Sequence, residues 1–238
     1  MKPRLLDLFC GAGGCTKGYQ EAGFEVLGVD VNPQPSYCGD DFIRDDALTV
    51  LRALLRAVEK GPGLPSAGKL DGIVAIHASP PCQNDTAYNR RPNHVRPVDR
   101  LIEPTRELLK QTGLPFVIEN VPGAPLENPI TLCGSSFGLD VRRHRLFETS
   151  FPILAPPCNH AAQKPGRFPG ATNRPNGRAT VEVGVWRIPL EVQKQAMAVD
   201  WDLTLPELSQ AIPPAFTHFI GERLLEVIEA SKSLERAA

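Results

Sequence analysis

The 238-residue sequence has no apolar run of about 18 residues, so it offers no candidate membrane span. No basic-then-apolar leader opens it at Met1, so no secretory signal is expected. Its cysteines are few and scattered, at Cys10, Cys15, Cys38, Cys82, Cys133 and Cys158. That is sparse for a disulfide framework and favours reduced thiols in a cytoplasm-like compartment. There is no internal repeat, which excludes solenoids and propellers. A net charge of −1 argues, on its face, against a nucleic-acid partner. With 42% hydrophobic and 22% charged residues the chain is not disordered overall, and its length suffices for a sizeable core without staples.

Two features are in excess. Proline numbers 24, about twice the usual share of about 5%. The charge is also unevenly spread. Between Arg142 and Thr180 lie seven basic residues and one acid, Glu148, which makes that stretch +6 and leaves −7 for the remainder. A second basic cluster, Arg90, Arg91, Arg96 and Arg100, follows Pro80-Pro81-Cys82-Gln83. Local basic faces of this kind suit phosphate, and they equally suit a solvated surface.

Apolar runs over Arg4–Phe9, Glu25–Val31, Leu70–Ala78 and Phe116–Glu119 read as buried strands. They alternate with helical patterns over Thr16–Ala22, Ala47–Glu59 and Val98–Thr112, which predicts a doubly wound, mostly parallel α/β sheet of Rossmann-like type. After Thr149 the texture becomes rich in Pro, Gly, Asn and Arg. Val181–Ile188 reads as a strand, Pro189–Ala198 as a helix flanked by core Trp186 and Trp201, and Pro213–Ser231 as a long helix. The expected division is a main domain over 1–148, a small irregular lobe over 149–205, and a helix within 206–238 that returns to the main domain.

Several constellations fall at strand ends. Asp7-Leu-Phe-Cys-Gly-Ala-Gly-Gly14 joins a strand to a helix, where glycines let a ligand approach the backbone and the helix start offers N–H groups. It lacks both the Gly-x-Gly-x-x-Gly spacing and a following Gly-Lys-Ser/Thr. Asp30 ends the next strand, where an acid commonly holds a ribose diol. The pair suits a nucleoside ligand or a tight structural turn. Ser79-Pro-Pro-Cys-Gln83 follows the third strand at the end where open α/β sheets bind ligands, so Cys82 is either a nucleophile or an inert thiol. Glu119-Asn120-Val121 points into the same crevice, with Glu119 a proton-sharing acid or a turn cap. Arg142-Arg-His-Arg145 precedes an apolar pair, so at least one arginine faces inward or the group forms a basic edge. Cys133, His144, Cys158 and His160 are ligand types suited to zinc, and Cys158-x-His160 is a tight pair. The spacing is not that of a finger, so the expectation is no metal, with Cys133 buried and the histidines in loops.

In order and spacing these segments resemble the cytosine-C5 DNA methyltransferase family, over about residues 1–148 and 205–230. The resemblance implies an S-adenosylmethionine site formed by Phe9, Gly11, Gly13, Gly14, Asp30, Asp46, Pro81 and Gln210, with Phe9 against the adenine and Asp46 receiving its amino group. It implies a nucleophile, Cys82, in Pro81-Cys82-Gln83, an acid, Glu119, in Glu-Asn-Val, and Arg143 and Arg145 from the Gln-x-Arg-x-Arg motif. Gln210-Ala-Ile-Pro-Pro214 is similar to the late segment that completes the cofactor pocket. Gln83, Arg90, Arg91 and Arg96 would contact nucleic acid from a closing loop. The implied activity is methyl transfer to C5 of a flipped-out cytosine in double-stranded DNA through a covalent Cys82 adduct, in a monomeric, cytoplasmic or nucleoid-associated enzyme of the restriction-modification kind. Related builds act on tRNA, and a non-catalytic DNA-binding relative is the remaining alternative. The sequence departs from the family at Val141 (for Gln), Gln210 (for Asn), Ser209 (for Gly) and Pro80 (often Phe). With only about 60 residues between Glu148 and Ser209 for target recognition, a short or relaxed target sequence is expected.

Overall fold

The computed structural model describes residues 2–60, 68–81, 101–165 and 178–237. Strand β1 (Arg4–Leu8) runs into helix α1 (Gly14–Ala22), then β2 (Glu25–Asp30), β3 (Asp41–Arg44), α2 (Ala47–Lys60), β4 (Ile73–Ala78), α3 (Ile102–Thr112) and β5 (Phe116–Asn120). Two shorter strands follow, β6 (Ile130–Leu132) and β7 (Arg145–Thr149). These form one seven-stranded sheet in the order β3-β2-β1-β4-β5-β7-β6. β1 to β5 are parallel to their neighbours, and β7 runs antiparallel between β5 and β6. The predicted doubly wound, mostly parallel sheet is what the structure has.

Alternation along the strands sorts the core into two layers. Leu5, Val26, Ala75 and Val117 face α1 and the last helix, α6 (Pro214–Ala237), through Tyr19, Phe216, Ile220 and Leu224. Leu6, Leu27, Ile76 and Ile118 face Leu51 and Leu54 of α2 and Leu109 of α3. α1 and α6 touch closely because Gly18 has no side chain. A Cβ there would lie 2.1 Å from the Pro214 carbonyl oxygen and 2.2 Å from Thr217 Oγ1. The long helix thus packs on α1 and the sheet.

Between them lie a two-stranded parallel pair, β8 (Gln163–Pro165) and β9 (Arg178–Thr180), and helices α4 (Leu190–Met197) and α5 (Leu205–Gln210). Val181, Ile188, Met197, Val199, Leu203 and Leu208 share one apolar cluster with Ala12, Val141 and Ala211, so this region packs on the glycine turn of the main sheet. Two expectations fail here. Residues 181–188 form turns and not a strand, because their backbone is satisfied by a side chain. Buried Gln193 accepts from Gly184 N (2.7 Å) and donates to the carbonyls of Val185 (2.8 Å) and Ile188 (2.6 Å), and Gly184 takes φ +87°. Trp186 is 88% exposed and not core, since the turns leave its side chain outside that cluster. Trp201 is half-buried and donates from Nε1 to the Ala12 carbonyl at 3.1 Å.

Candidate functional site

The strand order reverses between β1 and β4, and a crevice at the carboxyl ends of the parallel strands is where such sheets bind ligands. β1 leaves the sheet through a turn in which Phe9, Gly11 and Gly13 take φ of +59°, +50° and +94°. A Cβ on Gly11 would meet nothing within 4 Å, so the turn presents bare backbone to open space there. Gly13 caps α1, and Gly14 lies so close to the late segment that a Cβ would fall 2.6 Å from Ile212 N. Asp30, at the end of β2, accepts from Gly11 N (3.2 Å) and Asn32 N (2.9 Å), which fixes its carboxylate against the turn. Asp46 is exposed and accepts from Thr49 N at 2.8 Å, capping α2. Gln210 is exposed at the end of α5, one residue before Ala211, which packs on the turn.

Beneath the turn lies Asp7, fully buried. Thr16 Oγ1 donates to its Oδ2 at 2.5 Å, and Oδ1 finds no hydrogen-bond partner among the described residues. Burial pushes the Asp7 carboxyl up to about 7, and the charges of Asp30 and Glu119 push the same way. The Asp30 and Glu119 carboxyls thus lie near enough to Asp7 for their charges to act on it. His77, also fully buried, pairs Nδ1 with Tyr19 Oη (2.9 Å) and Nε2 with Ser79 Oγ (3.0 Å), and burial holds it down at about 3, so it stays neutral. The site residues implied by the sequence did not include Asp7 or His77. Their signal is a titratable residue inside an otherwise apolar strand run.

At the end of β5, Glu119 is buried with Oε1 3.2 Å from Arg145 Nε at the start of β7. Burial raises its carboxyl above the usual range, and Arg145 opposes the shift. Asn120 Nδ2 donates to the Pro80 carbonyl at 3.0 Å, and its own Oδ1 accepts from Val121 N at 2.9 Å. The Glu-Asn-Val segment thereby anchors the loop that carries Pro81 out of β4. Arg143 was expected beside Arg145 on the substrate. It has φ +38° and turns to the late segment instead, donating to the carbonyls of Ser209 (2.6 Å) and Ala211 (3.0 Å). Val141 is buried in the apolar cluster with Ala12. Cys82, Gln83, Arg90, Arg91 and Arg96 lie outside the described residues. Burial pushes up the thiols of Cys10 and Cys15, and that of Cys38 to about 12, so none of these three is a ready thiolate nucleophile.

Cys133 is buried and His144 lies in a loop, as expected, and the four residues named as zinc-type ligands are brought together. Cys133, His144, Cys158 and His160 meet, with their ligand atoms all within 4.8 Å of one another.

No protein-family profile matches the chain. It is 26% identical over 165 residues to the Type II methyltransferase M.AgeI of Thalassovita gelatinovora, an alignment covering 60% of this chain and 38% of that protein. The chain thus aligns with well under half the length of that relative. Among solved structures, the S. pombe Dnmt2 methyltransferase superposes with a TM-score of 0.60 at 13% identity, covering 95% of this chain and 99% of that one. The chain shares the Rossmann-like fold of that methyltransferase. A Spodoptera frugiperda DNMT2 variant aligns over 63% of this chain and 52% of its own, at 19% identity and a TM-score of 0.41. In this methyltransferase fold the glycine turn, Asp30 and Glu119 all open on one crevice.

Proposed function

We propose that the chain is a DNA (cytosine-5-)-methyltransferase that uses S-adenosylmethionine. The observation that carries this reading is the pairing of buried Glu119 with Arg145 beside the Asn120-anchored Pro80-Pro81 loop. The similarity to a Type II methyltransferase supports the same reading.

The crevice suits the cofactor. Gly11 leaves backbone open to it, and Asp30, fixed against the turn, is aligned for a ribose. Phe9, Gly13, Gly14, Asp46, Pro81 and Gln210 complete the assignment. When bound, the cofactor supplies an electrophilic methyl group.

The chain's own residues prepare the base. C5 of cytosine is a poor nucleophile until the aromatic ring is broken. The Cys82 thiolate adds to C6, forming a C–S bond and pushing the C5–C6 electron pair toward C5. Cytosine N3 is an acceptor, so it needs a donor. A Glu119 whose carboxyl is raised by burial holds a proton for N3 and offsets the charge developing there. Arg145 orients Glu119 and the O2 side of the base. Arg143, tied to Ser209 and Ala211, is a positioning residue that holds the late segment against the turn. Loss of the C5 proton and of the C6–S bond restores the aromatic ring. Flipping a cytosine from duplex costs a few kcal/mol, and Gln83, Arg90, Arg91 and Arg96 are assigned to that work. Residues 149–205 are assigned to target recognition.

Transfer of tritiated methyl groups from S-adenosylmethionine tests this. Duplex DNA is expected to be labelled and tRNA not, with Glu119→Gln slower by about 10²-fold or more. Label in tRNA alone would make the chain an RNA enzyme of the same build. DNA binding with label in neither would make it a non-catalytic relative.

A further inference from the structure

We infer that Cys133, His144, Cys158 and His160 form a structural zinc site. Its construction begins with the sheet register. β6 runs antiparallel to β7 with Leu132 opposite Arg145, so the next step along the ladder sets Cys133 against His144. The backbones stay together beyond that step, because Gly134 N donates to the Arg142 carbonyl at 2.7 Å. Only glycine fits there, since a Cβ on Gly134 would lie 2.3 Å from the Val141 carbonyl oxygen.

The chain after β7 then folds back and delivers the other two ligands. Ser136 Oγ donates to the Pro157 carbonyl at 2.9 Å, and Asn159 N donates to Ser135 Oγ at 3.0 Å. These two bonds bracket Cys158 and set His160 at the start of a short 3-10 turn (His160–Ala162). Ser135 Oγ also lies 3.1 Å from Cys133 Sγ, so one hydroxyl links the returning loop to the first ligand.

Two sulfur–nitrogen distances match the edges of a tetrahedral metal site, within a cluster whose ligand atoms all lie within 4.8 Å of one another. With Zn–S near 2.3 Å and Zn–N near 2.0–2.1 Å, the edges of an S₂N₂ tetrahedron are about 3.3–3.8 Å. Cys133 Sγ lies 3.3 Å from His160 Nε2, and Cys158 Sγ lies 3.5 Å from His144 Nε2. The two imidazole rings stand edge to face with centroids 5.1 Å apart, which lets both Nε2 atoms point at one centre. Both cysteines are free. A disulfide between them would leave two histidines aimed at sulfur for no reason. Tetrahedral S₂N₂ donors select zinc, and four protein ligands leave no open position, so the role is structural and not catalytic. On binding, the two thiols release their protons and the two imidazoles are neutral, so the thiolates cancel the charge of the ion.

The site clasps the loop after β7 to the edge of the sheet beside the catalytic acid. His144 stands between Arg143 and Arg145, and its carbonyl accepts from Arg145 Nη1 at 2.9 Å. The clasp therefore holds the backbone from which Arg145 reaches Glu119. The inference rests on the ligand geometry and is independent of the methyl-transfer reading.

Elemental analysis of the full chain, prepared with zinc and then freed of loosely held metal, tests it. One zinc per chain is expected, with full occupancy in Cys38→Ser as a control and loss in both Cys158→Ser and His160→Asn. Circular dichroism establishes whether those two variants fold. Should either fail to fold, cobalt(II) loading of the unaltered chain decides the matter. Intense tetrahedral ligand-field bands with thiolate charge transfer would support the site. Absence of both zinc and those bands in the folded, unaltered chain would overturn it. So would a chain lighter by two hydrogens with Cys133 and Cys158 joined and no metal bound.

Discussion

Asp7 and His77 sit on neighbouring strands, both fully buried, and shift in directions that oppose one another in stability. Asp7 titrates at about 7 in the folded chain against 3.8 ordinarily, so the folded state holds a proton that the unfolded state has lost between about pH 4 and 7. Stability from this group therefore falls as pH rises through that window, by ~4 kcal/mol in all. His77 titrates at about 3 against 6.5, so the unfolded state takes up a proton first on acidification, and stability falls as pH drops from about 6.5 toward 3. The two slopes largely cancel between about pH 4 and 6.5. Urea unfolding midpoints at pH 4.5, 5.5 and 6.5 check this. Relative to the unaltered chain, Asp7→Asn is expected to gain a stability that rises with pH, and His77→Gln one that falls with pH. Parallel profiles would contradict the assignment. Both residues are legible in the sequence as charges inside apolar runs. Their partners, Thr16, Tyr19 and Ser79, are not, because only the fold brings them within hydrogen-bond reach.

At the scale of elements, the long periodic segments were readable and the short ones were not. The apolar period of α2 and of α6, and the runs of β1, β2, β4 and β5, each span enough residues to declare a type. β3 and β6 have only four and three residues, and β7 is interrupted by the charged Arg145 and Glu148, so no period emerges from them. β7 nevertheless places Arg145, His144 and Glu148. Glu148 forms a two-pronged pair with buried Arg106 of α3, Nε to Oε1 and Nη2 to Oε2 both at 2.9 Å, and it also accepts from Glu127 N at 2.8 Å. Arg106→Met leaves that carboxylate buried without its cation and is expected to cost ~3–5 kcal/mol. The double variant Arg106→Met with Glu148→Met should recover part of the loss in the same urea titration. At the α1–α6 contact, Gly18→Ala inserts a methyl where backbone and Thr217 already stand. A loss of ~1–3 kcal/mol in thermal or urea unfolding is expected, while the helix itself gains propensity. An unchanged or higher midpoint would mean that the two helices do not pack this closely.

Across the whole molecule, the near-zero net charge conceals a +6 stretch from Arg142 to Thr180 set against −7 over the remainder. That segregation makes nucleic-acid binding compatible with a total of −1 and predicts affinity that falls steeply with salt. The interval from residue 149 to 205 is short, and part of its apolar surface is committed to packing on Ala12 and Val141. With an interval this short, methylation mapped by bisulfite sequencing should follow a short or relaxed target. A long, strict site would contradict this. The order of motifs along the chain foretold the crevice, because sequence order and strand order are linked in a doubly wound sheet. The four residues Cys133, His144, Cys158 and His160 were legible as zinc-type ligands but their meeting was not, because it depends on one step of register between β6 and β7 and on the loop that returns over them. The central claim, covalent catalysis at the crevice, is tested most directly by incubating the chain with S-adenosylmethionine and a duplex carrying 5-fluorocytosine, whose C5 has no proton to lose. A denaturation-resistant protein–DNA adduct is expected, absent in Cys82→Ser. An adduct that persists in Cys82→Ser, or none from a folded chain that methylates ordinary duplex, would contradict it.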